Sequence, residues 1–190
     1  MVIGDANVRQ QLECGCALKC QQLIMRDYGF DIAEGELCEL SKRNGWYHEN
    51  GGVFMRDNGK LLGSFGIGYH HRQHSTLADV ERELRQGHRV MASVNADKLH
   101  AAPEERFCHL EASHAVLISR VDRNEGLLYI ADPMTGNVDE PCPIRWFLHA
   151  WRDSLFYMLA TDSPACFCYD PDTHSMKELT ISSNRENYVV

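Results

Sequence analysis

Hydrophobic positions near the start of the chain recur at helical spacing. The positions that follow one another at intervals of three or four residues are Ala17, Cys20, Ile24 and Tyr28, and they would share one face of an amphipathic helix. Gly29 comes directly after them and tolerates the left-handed dihedrals that commonly end helices. The pattern therefore predicts an amphipathic first helix that ends at Gly29.

Farther along the chain, helical patterns dominate the first half and strand-like runs the second. Helices are predicted at Asp31–Asn44, as a short helix within Val53–Leu62, from Ser75 or Thr76 to Gly87, and at Pro143–Arg152. Strands are predicted at Ile67–Arg72, Arg89–Asn95, His114–Val121, Leu127–Ala131 and Leu155–Ala160. This order favours the α+β fold class, with an N-terminal helical half packed on a mainly antiparallel β-sheet.

Two segments lack a clear hydrophobic period. Asp97–Ala112 contains Pro103 and several acidic residues, and we predict that it forms a loop bordering a site. From Thr161 onward polar and charged residues dominate, with one more strand predicted at Leu179–Ile181. The sequence therefore predicts a domain at residues 1–160 and a C-terminal extension at 161–190.

Length and charge narrow the class of protein. The chain has 190 residues, which is enough length for one domain. Its net charge of −8 gives no basic surface for nucleic acid. No run approaches the roughly 18 apolar residues of a membrane span, and Met1–Asp5 lacks the features of a secretory signal. We therefore expect a cytoplasmic protein, or one delivered elsewhere without a cleaved signal peptide.

The chain contains eight cysteines, at positions 14, 16, 20, 38, 108, 142, 166 and 168. No C-x-x-C pair occurs, although structural zinc sites usually show such paired spacings. Because no export signal is visible, we predict that the cysteines are mostly reduced. A non-catalytic domain, in which cysteines and a histidine-rich patch at His70, His71 and His74 bind zinc or a protein, stays open as an alternative.

Cys14 is the predicted nucleophile, because it stands at or just before the N-terminus of the first predicted helix. Unpaired backbone N–H groups and the positive end of the helix dipole lie at such a terminus. This environment favours the thiolate, which is the nucleophilic form of cysteine. Gly15 follows Cys14 and is expected to leave room for a substrate backbone.

A cysteine nucleophile needs a base and a group that orients it. His114 opens an apolar strand directly after a polar segment, and Asp132 ends the next strand. In an antiparallel hairpin the first residue of one strand faces the last residue of the other, so His114 and Asp132 can lie side by side. An oxyanion hole would use the backbone N–H of Cys14 with a side-chain amide of Gln10 or Gln11.

Several short motifs also occur in a distinctive order. They are a glutamine, Cys-Gly-x-Ala at 14–17, Tyr-Gly at 28–29, Gly-x-x-Val at 87–90, Ser-His-Ala-Val at 113–116 and Asp-Pro-x-x-Gly at 132–136. In this order and spacing, residues 8–160 resemble the papain-like cysteine peptidases that process bacteriocins and other peptides at double-glycine leaders. Members of that family form the peptidase domain of certain ABC exporters.

The resemblance implies a papain-like fold, a peptide or protein substrate and cleavage after paired small residues of the Gly-Gly type. It implies Cys14 as nucleophile, His114 as general base and Asp132 as its orienting partner, with no metal or organic cofactor. The family's oxyanion glutamine lies six residues before the cysteine, a position held here by Val8. Gln10 would therefore serve across a shortened loop.

The exporter's membrane and ATPase parts are missing from the sequence, so we expect a free-standing relative, or a toxin or effector domain that acts on a protein of a host or rival cell. An immunity or inhibitor protein is an expected partner of such a domain. Papain-like sites also carry out deamidation and acyl transfer, and these reactions remain alternatives to hydrolysis.

Overall fold

The structure is a computed structural model that describes residues 8–100, 112–170 and 175–178, with 167–170 and 175–178 described by their backbone alone. The α-helices are α1 (Cys16–Asp27), α2 (Glu34–Arg43), α3 (Lys60–Ser64), α4 (Leu77–Arg85), α5 (Ala96–His100) and α6 (Ile144–Trp151). Two short 3-10 helices lie at Met55–Asp57 and Arg152–Ser154. The strands are β1 (Tyr69–Arg72), β2 (Val90–Val94), β3 (His114–Asp122), β4 (Leu127–Asp132), β5 (Asn137–Pro143), β6 (Met158–Thr161), β7 (Phe167–Asp170) and β8 (Ser175–Glu178).

Six of these strands form one antiparallel sheet in the order β1-β6-β2-β3-β4-β5. Every residue of the central strand β2 is buried, while β1 and β5 lie at the edges. Strands β7 and β8 pair with each other in a separate antiparallel hairpin. The predicted α+β class with a mainly antiparallel sheet is therefore confirmed.

Both faces of the sheet are covered by helices. Successive side chains of a strand point to opposite faces, so Met91 and Leu117 pack with Ile24 of α1 in one core, while Val116 packs with Trp151 of α6 in the other. The N-terminal helices thus cover the first face, as the sequence predicts. Helices α4 and α6 cover the second face.

The structure fixes the start of α4 and corrects one predicted loop. Helix α4 has Thr76 as its N-cap residue. The Thr76 side chain accepts the backbone N–H of Asp79, and the Asp79 side chain accepts the backbone N–H of Thr76, which is a capping box. Asp97–His100, predicted as loop, belongs to helix α5, and residues 101–111 of that predicted loop lie outside the described residues.

The C-terminal part is described only as far as strands β7 and β8. The strand predicted at Leu179–Ile181 lies outside the described residues, and the division at residue 160 stays a prediction. Within 8–100, 112–170 and 175–178, no helix is long and apolar enough to cross a membrane.

Candidate active site

Helix α1 begins with Cys16, and Gly15 is its N-cap residue. Cys14 therefore lies one residue before the cap, and Cys16 occupies the first helical position. The first N–H groups of a helix have no partner within the helix. The sulfur nearest to these donors, counted along the chain, is that of Cys16.

The segment leading into α1 is fixed by the buried carboxylate of Glu34. This carboxylate accepts hydrogen bonds from the backbone N–H groups of Gln11 at 3.0 Å and Leu12 at 3.4 Å. It also forms an ion pair with Lys19 at 3.4 Å, and both side chains are at most 5% exposed. A residue of α2 thus holds the turn before α1 against the helix.

Two glycines allow close packing around this turn. A Cβ at Gly15 would lie 2.9 Å from Leu12 Cβ and 3.2 Å from Glu34 Oε1, so the space beside Gly15 is filled by the protein. The expectation that Gly15 leaves room for substrate is therefore wrong. Gly52 has a φ of +62°, and a Cβ there would lie 2.2 Å from the carbonyl oxygen of Cys14.

His114 and Asp132 lie side by side at the end of the β3–β4 hairpin. His114 Nε2 is 2.8 Å from Asp132 Oδ1, and both side chains are buried. The same carboxylate oxygen accepts the backbone N–H of Met134 at 2.7 Å. The other oxygen, Oδ2, lies 2.9 Å from Nε2 of His100. The structure thus brings together the predicted base and its predicted partner, and adds a second histidine that the sequence analysis did not identify.

Cys16 lines the same cavity wall as His114 and is close enough that hydrogen bonding and charge between the two side chains shift the pKa of both. Since Nε2 of His114 faces Asp132, Nδ1 is the ring nitrogen left for the sulfur. The backbone N–H groups of Ala115 and Ala17 also bond to this sulfur. The three side chains form a continuous series of thiol, imidazole and carboxylate.

This series shifts the pKa of each of its members. Burial favours the neutral Cys16 thiol, but the hydrogen bond and charge of His114 outweigh it and lower the pKa of Cys16. Burial likewise opposes a charge on His114, yet the bonds to Asp132 and Cys16 raise its pKa to about 9. The pKa of Asp132 is held well below its usual range against burial by His100 and His114. The arrangement therefore favours a thiolate–imidazolium pair.

The predicted nucleophile Cys14 has a different environment. It is partly buried and lines the same cavity as Cys16 and His114, but none of the described hydrogen bonds of His114 involves it. A third nearby thiol, Cys20, donates to the carbonyl of Ala115 at 3.4 Å, and burial raises its pKa well above the usual value. Of these three thiols, the sulfur placed against the imidazole is that of Cys16.

The two glutamines predicted for the oxyanion hole differ in their position relative to the cavity. Gln11 is exposed and is not among the residues that line the cavity. Gln10 lines it, but its Nε2 donates to the carbonyls of Leu12 at 2.8 Å and Glu13 at 2.9 Å. Its Oε1 is buried without a hydrogen-bond partner among the described residues. In this arrangement Gln10 stabilises the turn before α1.

The spacing of Gln10 contains a signal that the sequence analysis did not use. Counted back from Cys16, the position six residues earlier is Gln10, the spacing expected for the oxyanion glutamine of the double-glycine peptidases. Counted from Cys14 it is Val8, which is buried in the core. The glutamine spacing and the hydrogen bond to His114 therefore point to the same sulfur.

A cavity of about 530 Å³ gives solvent access to this sulfur. Its walls come from the turn before α1, the segment around the first 3-10 helix, strands β2 and β3, and the turn after β4. The large exposed side chains Phe54 and Met134 lie on its rim. A cleft of this size can hold several residues of an extended peptide.

One group of potential metal ligands exists among the described residues, formed by His100, His114 and Asp132. Their ligand atoms lie within 4.8 Å of one another, as imidazole and carboxylate ligands of zinc would. His114 and Asp132 belong to the series already described, and His100 contacts Asp132.

No known family model matches the chain. Uncharacterized proteins from Mycobacterium bovis and Mycobacterium tuberculosis are 32% identical to it over 89 residues, which is 45% of this chain and 38% of theirs. The chain therefore matches well under half the length of these relatives.

Solved structures give a fuller match. A protein from Bacillus anthracis described as a C39-like peptidase superposes with a TM-score of 0.62 and 16% identity, over 87% of this chain and 99% of that one. A double glycine motif protease from an AMS/PCAT transporter, solved in complex with the leader peptide, gives a TM-score of 0.57 and 13% identity, over 85% and 91% of the two chains. The chain therefore has the fold of C39-like peptidases.

Proposed function

We propose that this protein is a papain-like cysteine peptidase whose nucleophile is Cys16, with His114 as general acid and base and Asp132 as the group that orients it. The observation that carries the proposal is the hydrogen-bonded series of Cys16, His114 and Asp132 at the start of a helix and on the wall of an open cavity. The fold shared with two structures described as peptidases supports the same reaction class.

The reaction follows from this arrangement. The Cys16 thiolate attacks the carbonyl carbon of a peptide bond, and the resulting oxyanion is stabilised by the N–H of Cys16 at the helix start. His114 then donates its Nδ1 proton to the leaving amine as the C–N bond breaks, which leaves a thioester. A water molecule gives a proton to His114 and attacks the thioester, and the acid product leaves as the thiolate and imidazolium form again. Gln10 stays a candidate second hydrogen-bond donor to the oxyanion. To act as one, its side-chain amide would give up one of its two hydrogen bonds to backbone carbonyls.

The substrate class is a peptide or protein cleaved after paired small residues. This part of the proposal is supported by the motifs at 113–116 and 132–136 and by the double glycine motif protease of the same fold. Deamidation uses the same thioester, but the bond that breaks is that of a side-chain amide. Delivery as a toxin or effector and control by an immunity or inhibitor protein remain predictions.

The test of the nucleophile compares two serine variants. The full chain is treated with an iodoacetamide probe at pH 6, and the modified cysteine is mapped by tandem mass spectrometry. We expect Cys16 to react far faster than the other thiols, because only a cysteine with a lowered pKa is a thiolate at this pH. Cys16→Ser should abolish cleavage of peptides that contain Gly-Gly, whereas Cys14→Ser should retain it.

Other outcomes would change the assignment. Loss of cleavage in Cys14→Ser with full activity in Cys16→Ser would return the nucleophile to Cys14. A mass gain of 1 Da in a treated peptide, without chain cleavage, would replace hydrolysis of the backbone by deamidation. Stoichiometric zinc in the purified protein, with no selectively reactive thiol, would favour the non-catalytic zinc-binding alternative.

A further inference from the structure

We infer that His100 is a positioning residue of the active site, which holds the second carboxylate oxygen of Asp132 so that the first oxygen stays directed at His114. This inference rests on the proposed function, since it assigns the residue a part in the same reaction. His100 contacts neither the sulfur nor the substrate carbonyl in this scheme, and acts through Asp132.

The two oxygens of Asp132 have unequal sets of partners. Oδ1 lies 2.8 Å from His114 Nε2 and accepts the Met134 N–H at 2.7 Å. Oδ2 is buried, and its one close polar contact among the described residues is His100 Nε2 at 2.9 Å. The contact is not a well-aligned hydrogen bond, yet without it a fully buried carboxylate oxygen would have no donor nearby. Such an oxygen is costly to bury.

Helix α5 is fastened so that its last residue reaches this oxygen. Lys98 Nζ lies 2.6 Å from Asp153 Oδ2, and both side chains are at most 4% exposed. Asn95 donates to the same carboxylate at 2.8 Å and accepts the Lys98 N–H at 3.1 Å. A buried ion pair thus ties α5 to the 3-10 helix after α6. These contacts hold the helix whose last residue is His100.

Few titratable groups lie close to Asp132 among the described residues. The titratable groups that face it are His114 from β3, His100 from α5 and the buried thiol of Cys20 from α1. His100 is an exposed residue whose side chain is 26% exposed, and it also lines a separate cavity of about 220 Å³ with Glu140 and Trp146. His100 therefore stands between the buried carboxylate and solvent, on a side that does not open to the sulfur.

Removal of the His100 imidazole should weaken the thiolate–imidazolium pair. Oδ2 would then have no donor, so Asp132 would rotate toward water or take up a proton, and either change weakens its bond to His114. The thiolate fraction of Cys16 would fall as the imidazolium becomes less stable. Because the substrate does not contact His100, kcat should fall while KM stays nearly constant.

The test compares His100→Phe, which keeps a ring but has no donor, with His100→Gln, whose amide N–H has a similar reach. The first readout is the rate of Cys16 alkylation by iodoacetamide at pH 6, mapped to the residue, which needs no substrate. We expect His100→Phe to lower this rate and kcat about tenfold, as for the loss of one charge-assisted contact. His100→Gln should stay within about threefold of the wild type, since the donor is restored.

The outcomes separate this inference from the proposed function. If Cys16 of the wild type reacts no faster than the other thiols at pH 6, the proposed function fails. If Cys16 is selectively reactive but His100→Phe leaves its rate unchanged or raises it, the positioning role of His100 is overturned. Equal losses in the Phe and Gln variants would also overturn it, because a donor would then be irrelevant. Should His100→Phe fail to fold, His100→Ala takes its place in the same comparison.

Discussion

Asp132→Asn tests the electrostatic basis of the proposed site, because it removes a negative charge and keeps the size of the side chain. In the folded protein the pKa of His114 is raised from 6.5 to about 9, although burial opposes its charge. The difference of about 2.5 corresponds to about 3 kcal/mol in favour of the imidazolium. With Asp132 replaced, Cys16 alone opposes the effect of burial, and the pKa of His114 should fall to 6.5 or below.

The pKa values of His114 and Cys16 also set the pH range in which the thiolate forms. The thiolate–imidazolium pair exists below the pKa of His114 and above the lowered pKa of Cys16, so activity should decline as the pH rises through about 9. Asp132→Asn should move this alkaline limb below pH 7, so that about a quarter or less of His114 is protonated at pH 7 and kcat/KM there falls by at least about fourfold, with an upper bound of about 300-fold. The bound assumes that Asp132 accounts for the whole difference.

The assay is the pH profile of peptide cleavage, together with the pH profile of Cys16 alkylation. Asp162→Asn is the matched control, because it removes a carboxylate that is half exposed and bonded to His70 and is not among the residues that line the cavity. The control should keep both profiles. An alkaline limb that stays near pH 9 in Asp132→Asn would refute the reasoning, since the raised pKa of His114 would then have another origin.

Three further substitutions test the framework around the site, each measured by urea denaturation. Lys98→Met should lower the free energy of unfolding by about 3–5 kcal/mol because it leaves Asp153 charged and buried. Replacing both Lys98 and Asp153 by apolar residues should cost less. Equal losses in the single and the double variant would contradict this. Glu34→Gln should lose about 3 kcal/mol, since it removes the buried partner of a lysine and an acceptor of the turn before α1, and an unchanged midpoint would argue against that role. Gly52→Ala should cost at least about 2 kcal/mol, more than Gly45→Ala, because both have positive φ but only Gly52 would place its Cβ against a carbonyl oxygen; equal effects would exclude the clash.

Periodicity predicted the elements that carry most of the core. Helix α1 and the β3–β4 hairpin lie where the apolar spacing predicts them. Strand β5 was missed because it contains Pro141 and Pro143 and has one buried residue, and such a strand is tolerated only at a sheet edge. Helix α5 was missed because five residues are too few to show a period, and its stability depends on the buried contact with Asp153.

The candidate site was predictable in part. The predicted antiparallel hairpin brings His114 and Asp132 to the same end, although the observed register, with Leu117 opposite Ala131 and a shift between Ile118 and Arg120, does not follow from the sequence alone. The choice between Cys14 and Cys16 depends on where α1 begins, and helix ends are uncertain by one or two residues in any pattern. The spacing to Gln10 would have favoured Cys16. His100 could not be found, since its contact with Asp132 depends on tertiary packing.

Ala115 links the two halves of the candidate site in a way that makes the proposed activity sensitive to small rearrangements. Its carbonyl accepts the Cys20 thiol, its N–H bonds to the Cys16 sulfur one helical turn earlier, and its neighbour along β3 is His114. The distance between the Cys16 sulfur and the His114 ring is therefore set by how α1 packs on β3. Mild perturbants that move α1 from β3 by a fraction of an ångström would abolish the proposed activity while the secondary structure and most of the core remained intact.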